Sequence, residues 1–299
     1  MHCSKNSQRL SQITEELSCS YADRFGVNYT NRENLPRRSE VISITDKLLE
    51  LLFPGFDQKF RGEVDTEELV GICFEELASQ ICRALHRSRS SQCSCDAEAR
   101  CEEAAFMLLG KLPGIREMLQ EDVKAAYVGD PAAASYDEVI LSYPGLKAIA
   151  IQRLAHVLYE AKIPFIPRMM TEYAHSVTGI DIHPGARIGK GFFIDHGTGV
   201  VIGETAVLGE KVRIYQGVTL GAVSFPKDAC GALIKGQKRH PTIGNNVIIY
   251  SGASVLGDII IGDNSVIGGN VWLTESLPAG TKITAAMPEN RKKFNGQSK

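Results

Sequence analysis

The chain has 299 residues, 43% of them hydrophobic and 23% charged, which is ordinary for a soluble globular protein and long enough for one large domain or two smaller ones. Its formal net charge of −2 gives no general case for nucleic-acid binding, and no apolar run approaches the roughly 20 residues that span a bilayer. The first ten residues, MHCSKNSQRL, lack the apolar stretch of a secretory signal, so we expect a cytoplasmic protein with free thiols at its eight cysteines.

The first part of the chain predicts helices. Residues 1–38 show weak periodicity and predict little regular structure, whereas residues 39–178 repeat apolar side chains at the helical period and predict an all-helical domain. Three Pro-Gly pairs, at 54–55, 113–114 and 144–145, predict breaks between helices. The clearest apolar stripe consists of Leu69, Val70, Cys73, Leu77, Ile81 and Leu85.

The composition changes near residue 180, because 19 of the 28 glycines lie in residues 181–299. A six-residue repeat begins there and predicts a left-handed parallel β-helix over 179–280, in which each unit forms a short strand and a turn and three units close a triangular coil. The fold class is therefore α+β, a helical domain followed by this β-helix. The leading positions of the repeat are Ile182, Ile188, Ile194, Val200, Ala206, Val212, Val218, Ile243, Ile249, Val255, Ile261, Ile267 and Leu273.

The repeat breaks once in this interpretation. Val218 and Ile243 are 25 residues apart, four repeats plus one, so a segment within about 222–239 is expected to leave the solenoid as an extruded loop. A long loop leaving a rigid coil is a natural place for a functional site. Residues 281–299 are expected to form a C-terminal tail.

The chemistry expected of the β-helix centres on His196 in the segment IDHGTG, since the repeat does not require a histidine there. A histidine can act as a general base near neutral pH, and it works best when a carboxylate holds its second ring nitrogen. Asp181, Asp195 and Glu204 are nearby candidates, and Asp181 belongs to the adjacent coil near the same corner. His183 is better explained as a corner residue bonded to backbone.

The run SVTGIDIHPGARIGKGFFIDHGTGVVIGETAVLGEKVRIYQGVTLG and the later KRHPTIG resemble the bacterial serine acetyltransferase family. The helical stretch YVGDPAAASYDEVILSYPGLKAIAIQRLAHVLY is similar to the stretch that precedes the β-helix in that family, so the likeness covers about residues 120–290. The combination of DIHP, DHGTG, VIGET, VTLG and RHP is far more specific than the hexapeptide repeat, which many acyltransferases share. The resemblance implies direct transfer of an acetyl group from acetyl-CoA to the hydroxyl of L-serine, the first step of cysteine biosynthesis, with no acyl-enzyme, metal or permanent cofactor.

The resemblance also assigns catalytic roles to the residues that match its motifs. His196 would be the general base that takes the proton from the serine hydroxyl, and Asp181 would orient it as the second member of a dyad. His240 would be the second active-site histidine, with Glu204 as a partner for it.

Substrate contacts are assigned in the same way. Arg239 would pair with the substrate carboxylate, a role that suits a planar guanidinium, and Asp130 and Asp195 would hold the substrate ammonium. The net basic bias of residues 181–299 would suit the phosphates of CoA, although a solvated basic tail explains it equally well. Candidates for CoA contacts, chosen by position, are Gly221, Ala222, Ser251, Gly252, Lys238 and Lys282.

Members of the family form trimers with the active site between neighbouring chains, and they usually pair two trimers into a hexamer through the helical domains. L-cysteine commonly inhibits by occupying the serine site. This sequence departs from the family pattern in its longer loop 222–238 and in Tyr250 and Ser251, where a small pair is common near the pantetheine arm. Its end, FNGQSK, lacks the isoleucine with which members that dock into cysteine synthase typically finish, so we do not expect that complex.

Other interpretations remain open at this point. A related hexapeptide-repeat acetyltransferase could act on another hydroxyl acceptor, such as a sugar or an antibiotic. A β-helix carbonic anhydrase would need three histidines converging on zinc, and His183, His196 and His240 could supply that number. The chain could also be an inactive scaffold or metabolite sensor, although the intact DHGTG and RHP segments count against that. Nothing in the sequence indicates a nucleic-acid or membrane partner.

Overall fold

The computed structural model describes residues 2–22, 35–56, 65–88, 95–224, 228 and 230–286, and it divides into two units, Met1–Leu35 and Pro36–Lys299. In the first unit, helix α1 spans His2–Ser20, which departs from the little regular structure expected for residues 1–38. Large apolar side chains on this helix are few and exposed, at Leu10, Ile13 and Leu17, which explains the weak periodicity of its sequence.

The second unit begins with the predicted helical domain. Its described helices are α2 (Arg38–Leu52), α3 (Thr66–Ser88), α4 (Cys95–Gly129), α5 (Tyr136–Ser142), α6 (Pro144–Glu160) and α7 (Ile166–Thr178). The apolar stripe of α3 faces the core, where Cys73, Leu77 and Ile81 are fully buried. No helix among the residues described here combines the length and apolarity needed to cross a membrane.

Helix α4 contradicts one predicted boundary. It continues through Pro113, where the Pro113-Gly114 pair predicted a break. A proline inside a helix removes one backbone hydrogen bond. Packing offsets this loss, because Leu108, Ile115 and Leu119 follow one face of the helix on both sides of the proline and are buried. The result is one helix of 35 residues that carries Asp130 immediately after its end.

The cysteines also differ from expectation. Cys82 on α3 and Cys101 on α4 form a disulfide, whereas the sequence predicted free thiols throughout. The two residues are 19 apart and come from different helices, so spacing alone could not pair them. Among the described cysteines, Cys19, Cys73 and Cys230 are free. Burial raises the pKa of the Cys73 thiol to about 12, in keeping with the predicted core position.

A left-handed parallel β-helix follows, as predicted. Three parallel sheets form its faces: sheet A joins β1, β4, β7, β10 and β13, sheet B joins β2, β5, β8 and β11, and sheet C joins β3, β6, β9, β12 and β14. The strands are β1 (Asp181–Ile182), β2 (Arg187–Ile188), β3 (Phe193–Asp195), β4 (Val201–Ile202), β5 (Val207–Leu208), β6 (Arg213–Tyr215), β7 (Thr219–Gly221), β8 (Thr242–Ile243), β9 (Ile248–Ile249), β10 (Ser254–Leu256), β11 (Ile260–Ile261), β12 (Val266–Ile267), β13 (Trp272–Leu273) and β14 (Lys282–Ile283).

The repeat is interrupted twice before its last coil, not once. Ile182 pairs with Ile202 and Ile194 pairs with Ile214, so the first coil is two residues longer than the β4–β7 spacing of Val201 and Thr219. The extra residues lie between β3 and β4, in the segment that contains His196. The single register predicted from sequence is therefore wrong from Val200 to Val218, where it follows a second column of buried residues rather than the first. It is correct again from Ile243 onward, because Ile243 pairs with Leu208 and Ile249 pairs with Ile214.

The extruded loop lies between β7 and β8, within the predicted limits of 222–239. Its residues 225–227 and 229 are outside the described residues. The solenoid continues slightly past the expected boundary at 280, because β14 pairs with β12. Residues 287–299, which include most of the expected tail and its basic side chains, also lie outside the described residues.

A buried ion pair connects the helical domain to the first coil. Arg153 on α6 binds Asp122 on α4 through Nη2 at 2.8 Å and also donates to the carbonyl oxygens of Ile188 and Gly189. The amide of Phe192 donates to Asp122 Oδ1 at 2.8 Å. Both charged side chains are almost fully buried, so this network fixes the end of α4 relative to β3.

Candidate active site

The first group of functional side chains lies at the corner where the chain passes from sheet C to sheet A, formed by residues 196–200, 216–218 and 250–253 and called the C–A corner below. His196 follows β3 with a positive φ of 60°, a conformation that few non-glycine residues adopt. The side chain of His196 is 75% exposed, so a substrate can reach it. Its Nε2 lies 4.0 Å from Asp195 Oδ1.

Asp130 joins this corner from the end of α4. The Tyr143 hydroxyl donates to Asp130 Oδ2 at 2.6 Å, and the amide of Ala132 donates to Oδ1 at 2.8 Å. The hydrogen bond from Tyr143, followed by that of the amide and by the charges of Arg213 and His196, lowers the pKa of Asp130. The same hydrogen bond raises the pKa of Tyr143 to about 12. Tyr143 therefore donates a stable hydrogen bond and keeps Asp130 ionised.

Asp195 has a partner that the sequence did not predict. Arg213 on β6 donates from Nη2 to Asp195 Oδ2 at 2.7 Å. Because Phe193 is the register partner of Arg213 on the neighbouring strand, the pairing brings this arginine beside the last residues of β3. The rings of Phe193 and Tyr215 lie beside Arg213, and Tyr215 in turn stacks on Tyr250 with ring centroids 5.1 Å apart. Arg213 follows Asp195 by 18 residues, about one coil of the solenoid, and this spacing is the signal that could have revealed it.

Asp181 lies on the coil adjacent to His196, as predicted. The amide of Gly199 donates to the carbonyl of Gly179, and the amide of Asp181 donates to that of Val200. No hydrogen bond joins Asp181 to His196 in the described part of the chain, and the carboxylate faces α7, where Arg168 Nη1 lies 3.8 Å away. The dyad therefore stays a prediction.

Asp181 also belongs to a cluster that has the donor atoms of a metal site. Ligand atoms of Glu172, His175 and Asp181 lie within 4.8 Å of one another. Arg168 forms an ion pair with Glu172 as well as approaching Asp181, so a guanidinium already supplies positive charge to these carboxylates. The arrangement is that of a salt-bridge network at the junction of α7 and β1.

The second group lies at the corner between sheets A and B, formed by residues 183–186, 203–206 and 240–241 and called the A–B corner. His240 is buried there, and its Nδ1 accepts a hydrogen bond from the amide of Thr205 at 3.0 Å. Burial, together with the charges of Arg239 and Lys238, lowers the pKa of His240 to about 4. A neutral imidazole whose Nδ1 accepts must carry its proton on Nε2. His240 can therefore donate a hydrogen bond from Nε2 at neutral pH.

Glu204 has partners other than the expected one. It accepts from the Tyr159 hydroxyl at 2.7 Å and from Arg239, whereas His240 Nδ1 is bonded to Thr205. Although burial favours the protonated form, the hydrogen bonds from Tyr159 and Arg239 lower the pKa of Glu204. Glu204 thus holds Arg239, the residue predicted to receive the substrate carboxylate. The prediction missed Tyr159, which comes from α6.

His183 has the structural role predicted for it. Its Nδ1 accepts from the amide of Gly185 at 3.0 Å, at the A–B corner. His183 and His240 lie at this corner and His196 lies at the other, on opposite edges of sheet A. The three histidines that a zinc site would need therefore do not converge within one chain.

The candidate CoA contacts divide between the two corners. Ser251 and Gly252 stack below His196 along the C–A corner, where the amide of Gly252 donates to Gln216 O. Gly221 ends β7, and Ala222 begins the loop that returns at the A–B corner. Lys238 donates to the carbonyl oxygens of Thr205 and His240, so its ammonium already contributes to holding the loop's return. Lys282 lies on β14, at the far end of sheet C.

Comparisons with known proteins identify the relatives of this chain. A family model described as bacterial transferase hexapeptide (six repeats) matches residues 240–275. A serine acetyltransferase of Helicobacter pylori strain J99 is 49% identical over 157 residues, which are 52% of this chain and 86% of the relative. The chain belongs to the serine acetyltransferase family.

Other relatives agree with this assignment. The plasmid serine acetyltransferase of Synechococcus elongatus is 62% identical over 175 residues, 58% of this chain, and the match spans only 55% of the length of that relative. The crystal structure of serine acetyltransferase isoform 3 from Entamoeba histolytica in complex with cysteine has a TM-score of 0.72 at 38% identity, covering 97% of this chain and 96% of that chain. A serine acetyltransferase in complex with coenzyme A from Brucella abortus has a TM-score of 0.56 at 28% identity, covering 83% and 93%.

Proposed function

We propose that this chain is a cytoplasmic serine O-acetyltransferase that transfers an acetyl group from acetyl-CoA to the hydroxyl of L-serine, giving O-acetylserine and CoA. The observation that carries the proposal is the pair of carboxylates, Asp130 and Asp195, beside the exposed His196 at the C–A corner. Two carboxylates suit the ammonium of an amino acid, and a histidine beside them suits the deprotonation of its hydroxyl. An uncharged sugar acceptor offers no reason for this arrangement.

In the proposed reaction, His196 takes the proton from the serine hydroxyl as its oxygen attacks the thioester carbonyl. The new carbon–oxygen bond gives a tetrahedral intermediate, and its collapse breaks the carbon–sulfur bond. His196 then returns the proton to the departing thiolate, so free CoA leaves and the imidazole is neutral again. Asp181, on the adjacent coil, is the proposed orienting carboxylate for His196.

His240 is proposed to act as a hydrogen-bond donor rather than as a second base. Its Nδ1 accepts from Thr205, so the proton on Nε2 is available to an oxygen that gains negative charge. Arg239 is proposed to bind the serine carboxylate. Its guanidinium would then contact both Glu204, which holds it, and the substrate. Both residues enter from the A–B corner.

Because the two corners flank sheet A, we propose that one site takes the C–A corner of one chain and the A–B corner of its neighbour in a homotrimer. Helical domains are proposed to pair two trimers. L-cysteine, which shares the ammonium and carboxylate of serine, is proposed as a feedback inhibitor at the same site. The cysteine complex of the Entamoeba relative and the coenzyme A complex of the Brucella relative support these ligands.

The test of the reaction is CoA release from acetyl-CoA with L-serine, in the wild type and in His196→Asn. We expect the variant to lose about two orders of magnitude or more in kcat, since a general base contributes about 10²–10⁴-fold. His156→Gln is the matched control, because His156 lies on α6 and has a structural contact, a hydrogen bond between its Nδ1 and the carbonyl oxygen of Pro184. A fully active His196→Asn variant would refute the proposed base.

The shared site has its own test. His196→Asn and His240→Asn chains, each nearly inactive alone, are coexpressed with different tags, and the mixed trimers are isolated. If each site takes one histidine from each of two chains, roughly one site in three of every mixed trimer recovers both histidines. Activity no higher than that of the two single variants would show that each chain supplies both.

A further inference from the structure

Arg213 lies in the centre of the C–A corner cluster, although no motif gives it a role. Its Nη2 donates to Asp195 Oδ2 at 2.7 Å, and the side chains of Arg213 and Asp195 are 24% and 14% exposed. An exposed ion pair contributes little, because two long side chains lose freedom to form it. The Arg213–Asp195 pair is largely enclosed, so water screens its attraction less than that of an exposed ion pair.

Two aromatic rings lie close to the guanidinium of Arg213. Its central carbon lies 5.1 Å from the ring centroid of Phe193 and 4.8 Å from that of Tyr215. Stacking of a planar guanidinium on aromatic rings is favourable, and lysine reproduces the charge but not the plane. The Nε atom of Arg213 is buried without a hydrogen-bond partner among the described residues. The arginine is therefore oriented by two rings and one carboxylate.

The end of α4 approaches the same group. A Cβ atom on Gly129 would lie 2.9 Å from Phe193 Cδ1 and 3.4 Å from Arg213 Nη1, so glycine permits this close approach. Asp130 is the next residue, and the charge of Arg213 contributes to the lowered pKa of its carboxyl. Arg213 thus lies within electrostatic reach of both carboxylates that are proposed to hold the substrate ammonium.

We propose that Arg213 is a positioning residue for the amino-acid substrate: it holds Asp195 through Oδ2 and leaves Oδ1, which faces His196, to accept from the substrate ammonium. This inference rests on the proposed function. The arginine also offsets one of the two negative charges, so that its attraction compensates the repulsion between Asp130 and Asp195 and the net charge of the group matches a single ammonium. Without it, Asp195 loses its fixed orientation.

The experiment compares Arg213→Met, which removes the charge, with Arg213→Lys, which keeps it. Arg187→Met is the matched control, since Arg187 is an exposed arginine on β2 of another face. We expect Arg213→Met to raise the KM for L-serine by about tenfold or more, with an unchanged KM for acetyl-CoA, because a hydrogen bond between charged groups is worth about that much. Arg213→Lys recovers part of the loss, and Arg187→Met behaves as the wild type.

A double-mutant comparison separates positioning from a general structural role. In an Asp195→Asn background, Arg213→Met should add little to the KM for L-serine, because the carboxylate on which the arginine acts is absent. Equal rises in both KM values together with a lower melting temperature, or an undiminished effect in the Asp195→Asn background, would overturn the role of Arg213. An active wild type with an unchanged Arg213→Met variant overturns this role alone, whereas a wild type without serine-dependent turnover overturns the proposed function as well.

Discussion

Thr205 holds the two residues that return from the extruded loop, and its replacement by valine is the most informative single change at the A–B corner. Its hydroxyl oxygen accepts from the amide of Arg239 at 3.0 Å and from the amide of His240 at 3.1 Å, and it lies 2.9 Å from His240 Nδ1. Valine has the same shape without the oxygen. The amide of Thr205, which donates to His240 Nδ1, remains in the variant.

The expected loss of stability follows from these contacts. Two half-buried amides lose their acceptor, and a donor left without a partner costs about 1–3 kcal/mol when buried. Because water can reach this corner in part, we take the lower limit for each amide and expect Thr205→Val to lower the free energy of unfolding by about 2 kcal/mol. The catalytic efficiency with L-serine should fall with it, because the backbone that carries Arg239 and His240 is no longer fixed.

Urea unfolding and serine kinetics check both expectations, with Thr205→Ser as the control. Serine retains the hydroxyl, so this variant should unfold close to the wild type and keep most of its activity. Equal stability and equal catalytic efficiency of the valine and serine variants would refute the reasoning, since it attributes both effects to the hydroxyl oxygen.

Three further predictions concern the same framework. Since the folded protein lowers the pKa of His240 from 6.5 to about 4, the stability linked to this group is fully present above pH 6.5 and is lost as the pH falls toward 4. The free energy of unfolding should therefore decrease between pH 7.5 and 4.5 by up to about 2 kcal/mol more in the wild type than in His240→Asn. Gly203→Ala would place a Cβ 2.1 Å from His240 Nε2 and displace the ring, so its acetyltransferase rate should fall while circular dichroism shows an intact fold. Arg153→Met should cost about 3–5 kcal/mol in urea unfolding by leaving Asp122 buried without its partner, whereas the exposed Lys124→Met should hardly change the midpoint.

The sequence predicted the solenoid correctly because its buried aliphatic residues recur at a fixed interval that nothing else requires. It did not reveal the two extra residues between β3 and β4. In each unit a second position also faces inward, and Val200, Ala206 and Val212 occupy it with small or aliphatic side chains. The six-residue pattern therefore continues across the insertion without a visible break, although the column it follows has changed.

The partners of the site residues were the harder part to predict. Asp130, Asp195 and His196 were predicted and lie at one corner, but Tyr143 comes from the helical domain and Arg213 from another coil. Arg213 follows Asp195 by 18 residues, about one coil, and that spacing could have revealed it, whereas Tyr143 reaches Asp130 through the packing of whole helices, which no repeat spacing reveals. The same holds for Glu204, whose pairing with Tyr159 depends on where α6 lies against the first coils.

The most direct test of the account compares acceptors in one assay of CoA release from acetyl-CoA. L-serine, 3-hydroxypropionate and ethanolamine all carry a primary hydroxyl, but the second lacks the ammonium and the third lacks the carboxylate. The proposed site predicts rapid release with L-serine alone, because Asp130 and Asp195 would bind the ammonium and Arg239 would bind the carboxylate. Equal rates with all three acceptors, or no release with L-serine, would contradict it.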